Sequence, residues 1–272
     1  MENSDGIDRI VCADCVEFLA NYRGPRPKLI FADPPFNIGY EYDRYDDRMK
    51  YEHYVEWTGR WMKAAADALD PAGSFYVAIG DEYAAEVCVI GKRDLGLTLR
   101  NWIIWQYTFG QAMQSKFARG HAHIFYFVKD PKAFTFNADA VRVASDRQML
   151  YKDVRANPKG KVPDDVWTIC RDCARKGALA GETVGDDVWL ESRVCGTFKE
   201  RVQWHPCQMP EKLLERIVRV SSNPGDLVFD PFAGSGTTLT VAHRLGRHWL
   251  GTDISPDYVK NANARVTSAP LY

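Results

Sequence analysis

Short, nearly continuous apolar runs recur along the chain: IVCAD (10–14), KLIFAD (28–33), SFYVAIG (74–80), NWIIWQYTF (101–109), HIFYFVKD (123–130), DLVFD (226–230) and HWLGTDI (248–254). Runs of this length with little alternation suit strands covered on both faces. Between and after them, apolar positions at helical spacing predict helices at about 51–69, 81–90, 210–221, 236–246 and 256–266. The last has a defined start, with Ser255 as N-cap, Pro256 at the first helical position and Asp257 in the first turn. Strands alternating with helices predict an α/β fold built on a doubly wound, mainly parallel sheet.

Residues 137–203 break the rhythm. They are rich in Arg, Lys, Asp and Gly, carry scattered Trp and show no sustained period. A structureless connection of that length is uncommon inside a compact domain. The stretch therefore reads as an inserted recognition subdomain between 1–136 and 204–272, the two halves of one domain. DDVW occurs at 164–167 and again at 186–189, but the flanks diverge, so no structural repeat is expected.

With 272 residues, 46% of them hydrophobic, the chain can bury a full core. It has no long uncharged apolar run, so no membrane span is expected, and the acidic opening MENSDGIDRI gives no sign of export. Seven cysteines at irregular spacing are an odd number for a disulfide framework and point to a reducing, cytoplasmic setting. A net charge of −1 excludes general attraction to polyanions, but the charges are unevenly spread. Residues 92–132 hold seven Lys/Arg against two Asp/Glu and 142–176 hold nine against five, whereas 41–56 hold six acids against three bases. A basic middle fits a nucleic-acid face or an ordinary solvated surface.

The candidate chemistry lies in two places. In VFDPFAGSGTT a strand ends at Asp230, and Gly234 and Gly236 bracket Ser235 just before a helix. Glycine lets backbone approach a ligand closely, and the helix start offers free N–H groups. Seventeen residues past Gly236 the next strand ends in Asp253, where an acid can accept ribose hydroxyls. A nicotinamide site favours GxGxxG, but Leu239 stands at the third glycine. Carboxylates at Asp230 and Asp253 suit a ligand bearing ammonium or sulfonium groups, as S-adenosylmethionine does. The second place is DPPF at 33–36, a carboxylate, two prolines and a ring at the mouth of a strand. Proline restricts itself and its predecessor, so this turn is stiff.

Together, DPPF (33–36) and DPFAGSGTT (230–238) resemble the DNA amino-methyltransferases that act on exocyclic amines of bases. GSFYVAIGDE, HPCQMPEKLLERIV (205–218) and IVCADCVEFL (10–19) agree, and the order of parts resembles the family's β arrangement. The resemblance covers most of the chain outside 137–203, with one departure: Met209 stands where the family's HPTQKP segment has lysine. It implies a Rossmann-like methyltransferase fold, with a catalytic half at 1–136, target recognition at 137–203 and a cofactor-binding half at 204–272. It implies catalytic roles for Asp33, Pro34, Pro35 and Phe36. For S-adenosylmethionine it implies contacts from Asp14, Asp33, His205, Gln208, Asp230, Phe232, Gly234, Ser235, Gly236, Thr237 and Asp253. The implied partner is double-stranded DNA, and family analogy extends to a homodimer.

An exocyclic amine is a poor nucleophile because its lone pair is delocalised into the ring. A carboxylate at Asp33 and an outward carbonyl at Pro34 can accept its two hydrogens, while Phe36 offers a stacking face for a flipped base and Asn37 a further polar contact. Asp at the first motif position resembles adenine-N6 enzymes, with cytosine-N4 as the alternative. More distant alternatives are a non-catalytic nucleic-acid-binding protein and an NAD-dependent dehydrogenase. Cys170 and Cys173 form a CxxC with Cys195, His205 and Cys207 downstream, but no second tight pair follows, so no metal is expected.

Overall fold

The computed structural model describes residues 6–111, 114–115, 117–149, 151–167, 194 and 199–272. Eight strands form one sheet in the order β1-β8-β7-β2-β3-β5-β4-β6. They are β1 (Arg9–Cys12), β2 (Leu29–Ala32), β3 (Ser74–Ile79), β4 (Thr98–Gln111), β5 (Arg119–Val128), β6 (Val166–Trp167), β7 (Leu227–Asp230) and β8 (His248–Asp253). All neighbouring pairs are parallel except those made by β5, which runs against both β3 and β4. The expected mainly parallel sheet is therefore present, with one reversed strand supplied by the β4–β5 hairpin.

Side chains alternate across each strand, and here both faces are apolar. Leu29 and Phe31 of β2 join one buried layer, Ile30 and Ala32 the other. On the first face lie α5 (Glu211–Ser221), α6 (Thr237–Arg244) and α7 (Pro256–Thr267), through residues such as Leu213, Ile217, Leu239, Val241 and Ala262. On the second lie α1 (Cys15–Asn21), α2 (Tyr51–Ala68) and α3 (Ala84–Val89), with Cys15, Tyr54, Trp61, Met62 and Val87. The short helix α4 (Asp146–Met149) lies outside these layers. Among the described residues no helix is long and apolar enough to cross a membrane.

The predicted helices form with shifted ends. The segment expected at 81–90 is helical only over Ala84–Val89 and then widens into a π-helical turn, Ile90–Asp94. Ser255 caps α7 by accepting from Tyr258 N at 3.3 Å, as its sequence signature implies. Helix α1 was not foreseen. The run 10–14 suggested a strand through Asp14, yet β1 stops at Cys12 and Asp14 accepts from Val16 N at 2.8 Å and Glu17 N at 3.2 Å. Asp14 followed by Glu17 was the available N-cap signal.

Of 137–203, the described part begins with a 3₁₀ turn, Ala138–Ala140, tied to α5 through Asn137, whose side chain donates to the carbonyls of Arg219 and Ser222. It continues through α4 to β6, which extends the sheet by pairing Ile104 with Val166. This portion therefore contributes to the sheet edge. The second DDVW and the pair Cys170/Cys173, with Cys195, lie outside the described residues.

Gly251 of β8 shows how closely the layers meet. A Cβ there would lie 2.6 Å from Leu239 Cδ1, 3.1 Å from Ala233 Cβ and 3.2 Å from the Asp230 carbonyl. Gly251→Ala is expected to cost about 1–3 kcal/mol through overpacking. Urea denaturation with an unchanged m-value would register the loss, and an unaltered midpoint would refute the close packing of α6 on β8.

Candidate active site

Strands β2 and β7 are neighbours, with Leu29 opposite Val228 and Ile30 opposite Phe229. From β7 the chain crosses to β8 on one side, and from β2 to β3 on the other. That divergence is the topological switch point of an open α/β sheet, where ligands bind beyond the carboxyl ends of the strands. DPPF follows β2 and DPFAGSG follows β7, and both border one cavity of about 300 Å³.

The sequence-predicted residues gather there. Asp14, Asp33, Pro34, Pro35, Phe36, His205, Gln208, Asp230, Phe232, Gly234, Ser235, Thr237 and Asp253 all line the cavity. Gly236 stands just behind, as the left-handed residue that starts α6, with φ 73°. Its missing side chain leaves room for Ala262, whose Cβ would lie 3.0 Å from an added one. Met209, the departure from the HPTQKP pattern, is buried in the core and also borders the cavity.

The DPPF turn is held from several sides. Tyr54, fully buried on α2, donates to the Pro35 carbonyl at 2.6 Å. Among the described residues nothing donates to the Pro34 carbonyl. Asn37, expected as a further polar contact to a base, braces the turn at φ 56°. Its side-chain amide donates to the Met49 carbonyl at 2.9 Å and Tyr83 Oη at 2.7 Å, and its oxygen accepts from Met49 N at 2.7 Å. Asn tolerates this left-handed backbone better than most residues. The carboxylate of Asp47, 1% exposed, accepts from the backbone N–H groups of Asn37, Ile38 and Tyr40 at 2.7, 3.0 and 2.9 Å. Hydrogen bonds to a charged group are worth about 1.5–3 kcal/mol each, so Asp47 fixes the exit of the turn.

In the Gly-rich turn several of the residues expected to contact a ligand also make internal hydrogen bonds. Asp253 accepts from Gly234 N and Ser255 N, both at 2.9 Å. Ser235 and Thr237 share a hydroxyl–hydroxyl hydrogen bond at 2.8 Å. Arg265 donates to the Ser235 carbonyl and Thr237 Oγ1, both at 2.9 Å, and is itself held by Glu211 at 2.8 Å. Gln208 spends both ends of its amide on backbone, at the Glu200 carbonyl (2.8 Å) and Val202 N (2.9 Å). Phe232 packs edge-on against Trp61, with ring centres 5.1 Å apart. These residues shape the cavity wall. At Gly234 the backbone itself forms the wall, since a Cβ would lie 2.8 Å from His205 Nε2.

Burial sets the electrostatics. Asp230 is 3% exposed, and desolvation raises its carboxyl from an ordinary 3.8 to about 7, against hydrogen bonds from Thr238 and Phe232 N. Desolvation also raises Asp253, with Asp43 adding to the effect, and lowers His205 from 6.5 to about 4. A cationic ligand offsets the cost of a buried carboxylate. The donor set, two desolvated acids beside bare glycine backbone, thus fits a ligand with positive groups. Among the described residues no group of three His, Cys, Asp or Glu side chains could hold a metal ion.

Sequence reasoning missed the wall built by residues 38–45. Tyr40, Tyr42 and Tyr45 line the cavity with Trp57, their rings in a chain of contacts 5.6–6.2 Å apart. Asp43 anchors this segment by accepting from Ser255 Oγ at 2.6 Å. The recurring tyrosines in EYDRYDDR were the available signal, but charge counting drew attention to the acids instead.

A family model described as DNA methylase, covering the N6 and N4 types, matches residues 28–264. The chain is 34% identical over 260 residues to the type II methyltransferase M.HpaI of Haemophilus parainfluenzae, covering 96% of this chain and 74% of that one. It is 32% identical over 273 residues to the DNA adenine methyltransferase YhdJ of Escherichia coli K12, covering 97% and 84% respectively. Among solved structures, a complex of M1.HpyAVI with SAM superposes with a TM-score of 0.62 at 19% identity, covering 95% of this chain and 98% of that one.

Asp230 and His205 act oppositely on stability. The folded protein holds the Asp230 proton to about pH 7 whereas the unfolded chain releases it near 3.8, so this group's contribution falls as pH rises through that window. His205 takes up a proton near 6.5 unfolded but only near 4 folded, so its contribution rises over pH 4–6.5. Asp230→Asn leaves the rising term unopposed. Relative to the parent, its stability in urea titrations from pH 4.5 to 6.5 is expected to climb by up to about 1.4 kcal/mol per pH unit. Parallel curves for the two proteins would contradict the assigned burial of Asp230.

Proposed function

The chain belongs to the N6/N4 DNA methylase family, and on that premise we propose that it methylates the exocyclic N6 amine of an adenine flipped out of double-stranded DNA, with S-adenosylmethionine as donor. The observation that carries the reading is the single cavity bordered by both Asp33–Phe36 and the Gly234 turn. When bound, S-adenosylmethionine supplies an electrophilic methyl on a sulfonium and leaves as the neutral thioether. Asp230, Asp253, Asp14 and the backbone at Gly234 would hold it, and the buried acids suit its positive charges.

The protein's own part is to hold and deprotonate the amine. Asp33 and the Pro34 carbonyl accept its two N–H hydrogens, which turns the nitrogen towards a tetrahedral form with its lone pair exposed. The prolines, Tyr54 and Asp47 fix those acceptors in advance, so little ordering remains at the moment of reaction. Once the N–C bond forms, the nitrogen is cationic and acidic, and its surplus proton passes to Asp33 and on to solvent. Phe36 supplies a stacking face, which offsets part of the few kcal/mol that unstacking costs. Residues 137–203 serve target recognition in this reading.

Adenine is favoured by Asp at the head of DPPF and by the likeness to an adenine methyltransferase. Cytosine N4 is the second reading, because the matched family spans both amines. Incubation of purified protein with unmodified DNA and S-adenosylmethionine, followed by nucleoside mass spectrometry, separates them: N6-methyladenine supports the first reading and N4-methylcytosine the second. Asp33→Ala is expected to abolish turnover while cofactor affinity stays within about tenfold. Gly234→Val is expected to lose cofactor binding by calorimetry, because the new side chain meets His205. Substantial turnover by the first variant, or unchanged affinity in the second, would refute the assigned roles.

A further inference from the structure

Beyond the end of β3, three groups converge over Gly80. A Cβ at that position would lie 3.1 Å from Glu82 Oε2, 3.3 Å from Phe36 Cδ2 and 3.8 Å from Arg119 Nη1. The glycine therefore lets the ring of Phe36, the carboxylate of Glu82 and the guanidinium of Arg119 close in over its backbone. Arg119 opens β5, where the hairpin runs past the last β3–β5 pair at Ile79 and His123, and it lines the cavity with Phe36 and Asp33.

The guanidinium is clamped. Its Nε lies 2.6 Å from Asp81 Oδ1, and Nη2 donates to Glu82 Oε1. Two carboxylates fix the planar fork. Of its five N–H donors, those on Nη1 make no hydrogen bond among the described residues, and Nη1 lies on the Gly80 side, where Gly80, Phe36 and Arg119 all line the cavity. The two acids outweigh the single positive charge, so the cluster is ill suited to a phosphate. A neutral acceptor on a stacked base suits it well.

We propose that Arg119, positioned by Asp81 and Glu82, is a specificity residue that donates from Nη1 to the acceptor ring nitrogen flanking the target amine. This inference rests on the proposed methylation of a flipped base. A base stacked on Phe36 presents its edge towards Arg119. Adenine offers N1 and N7 as acceptors beside its amine, and cytosine offers N3. Guanine N1 and thymine N3 carry hydrogens, so a contact on the Watson–Crick edge would set donor against donor, whereas guanine N7 is an acceptor like adenine N7. On the Watson–Crick edge the clamp selects for adenine and cytosine over guanine and thymine, and on either edge it helps to hold the amine against Asp33.

The test uses duplex DNA whose target site has been read by sequencing modified bases in DNA from an expressing host. The target adenine is replaced by 1-deazaadenine or 7-deazaadenine, each lacking one acceptor nitrogen. The parent protein is expected to lose roughly 10- to 100-fold in kcat/KM on one analogue. Arg119→Ala should lose about as much on adenine and discriminate no further between adenine and that analogue, with S-adenosylmethionine affinity by calorimetry within about threefold of the parent. Arg119→Lys, which keeps the charge but not the fork, should recover part of the loss. Equal discrimination by parent and Arg119→Ala, or parental kcat/KM in that variant, would overturn the assignment. Failure of the parent protein to form N6-methyladenine would instead remove the target reading beneath it, a result visible before any variant is measured.

Discussion

Two strands about 200 residues apart in the chain, β2 and β7, are hydrogen-bonded in parallel, Ile30 beside Phe229. Everything chemical in the molecule depends on that pairing. β2 runs into Asp33-Pro34 and β7 into Asp230-Pro231, so the register delivers two stiff, acidic turns to one edge of the sheet. A slip of one residue would turn the slipping strand inside out. Both faces are buried, with Leu29 and Phe31 in one layer and Ile30 and Ala32 in the other. Core packing therefore fixes the geometry of the site.

Around that edge the protein uses buried polar groups as struts. Asp47 ties down the exit of the DPPF turn through three backbone N–H groups. Behind the Gly-rich turn, Glu211 joins Arg265 and Arg244 at 2.8 and 2.6 Å. Partly buried ion pairs of this kind add little net stability, but loss of one partner is costly. Their contribution here is placement. Arg265 holds the carbonyl of Ser235, and Asp253 holds the N–H of Gly234, so the glycine backbone faces the cavity in one conformation. The same logic extends to Arg119, whose two carboxylate partners set the direction of its remaining donors.

The order of elements, the paired motifs and the cofactor edge were legible in the sequence because each has a local cause. Ser255-Pro256 starts a helix, Gly234 and Gly236 need positive φ, and uninterrupted apolar runs make buried strands. What escaped was non-local. That Asn37 braces Met49 and Tyr83 depends on the approach of α2 and α3, and that Gln208 ties down residues 200–202 depends on the path of an irregular segment. Asp47 looked like one acid among several in 41–56, yet it is the buried one. Helix α1 hid behind a strand pattern that ran two residues too far. Asp253, expected as a ribose acceptor, also braces the turn, a role that only the meeting of β8 with the Gly-rich loop creates.

The central claim is one of distance and direction: an amine held at Asp33 faces a methyl donor seated on the Gly234 turn. The most direct measurement is a crystal structure of the protein with a non-reactive S-adenosylmethionine analogue and DNA containing the target base. The account predicts the base stacked on Phe36, its amine on Asp33 and the Pro34 carbonyl, and its nitrogen about 3–3.5 Å from the position of the transferable methyl. A cofactor bound away from the Gly234 turn, or a target amine that does not reach Asp33, would contradict it.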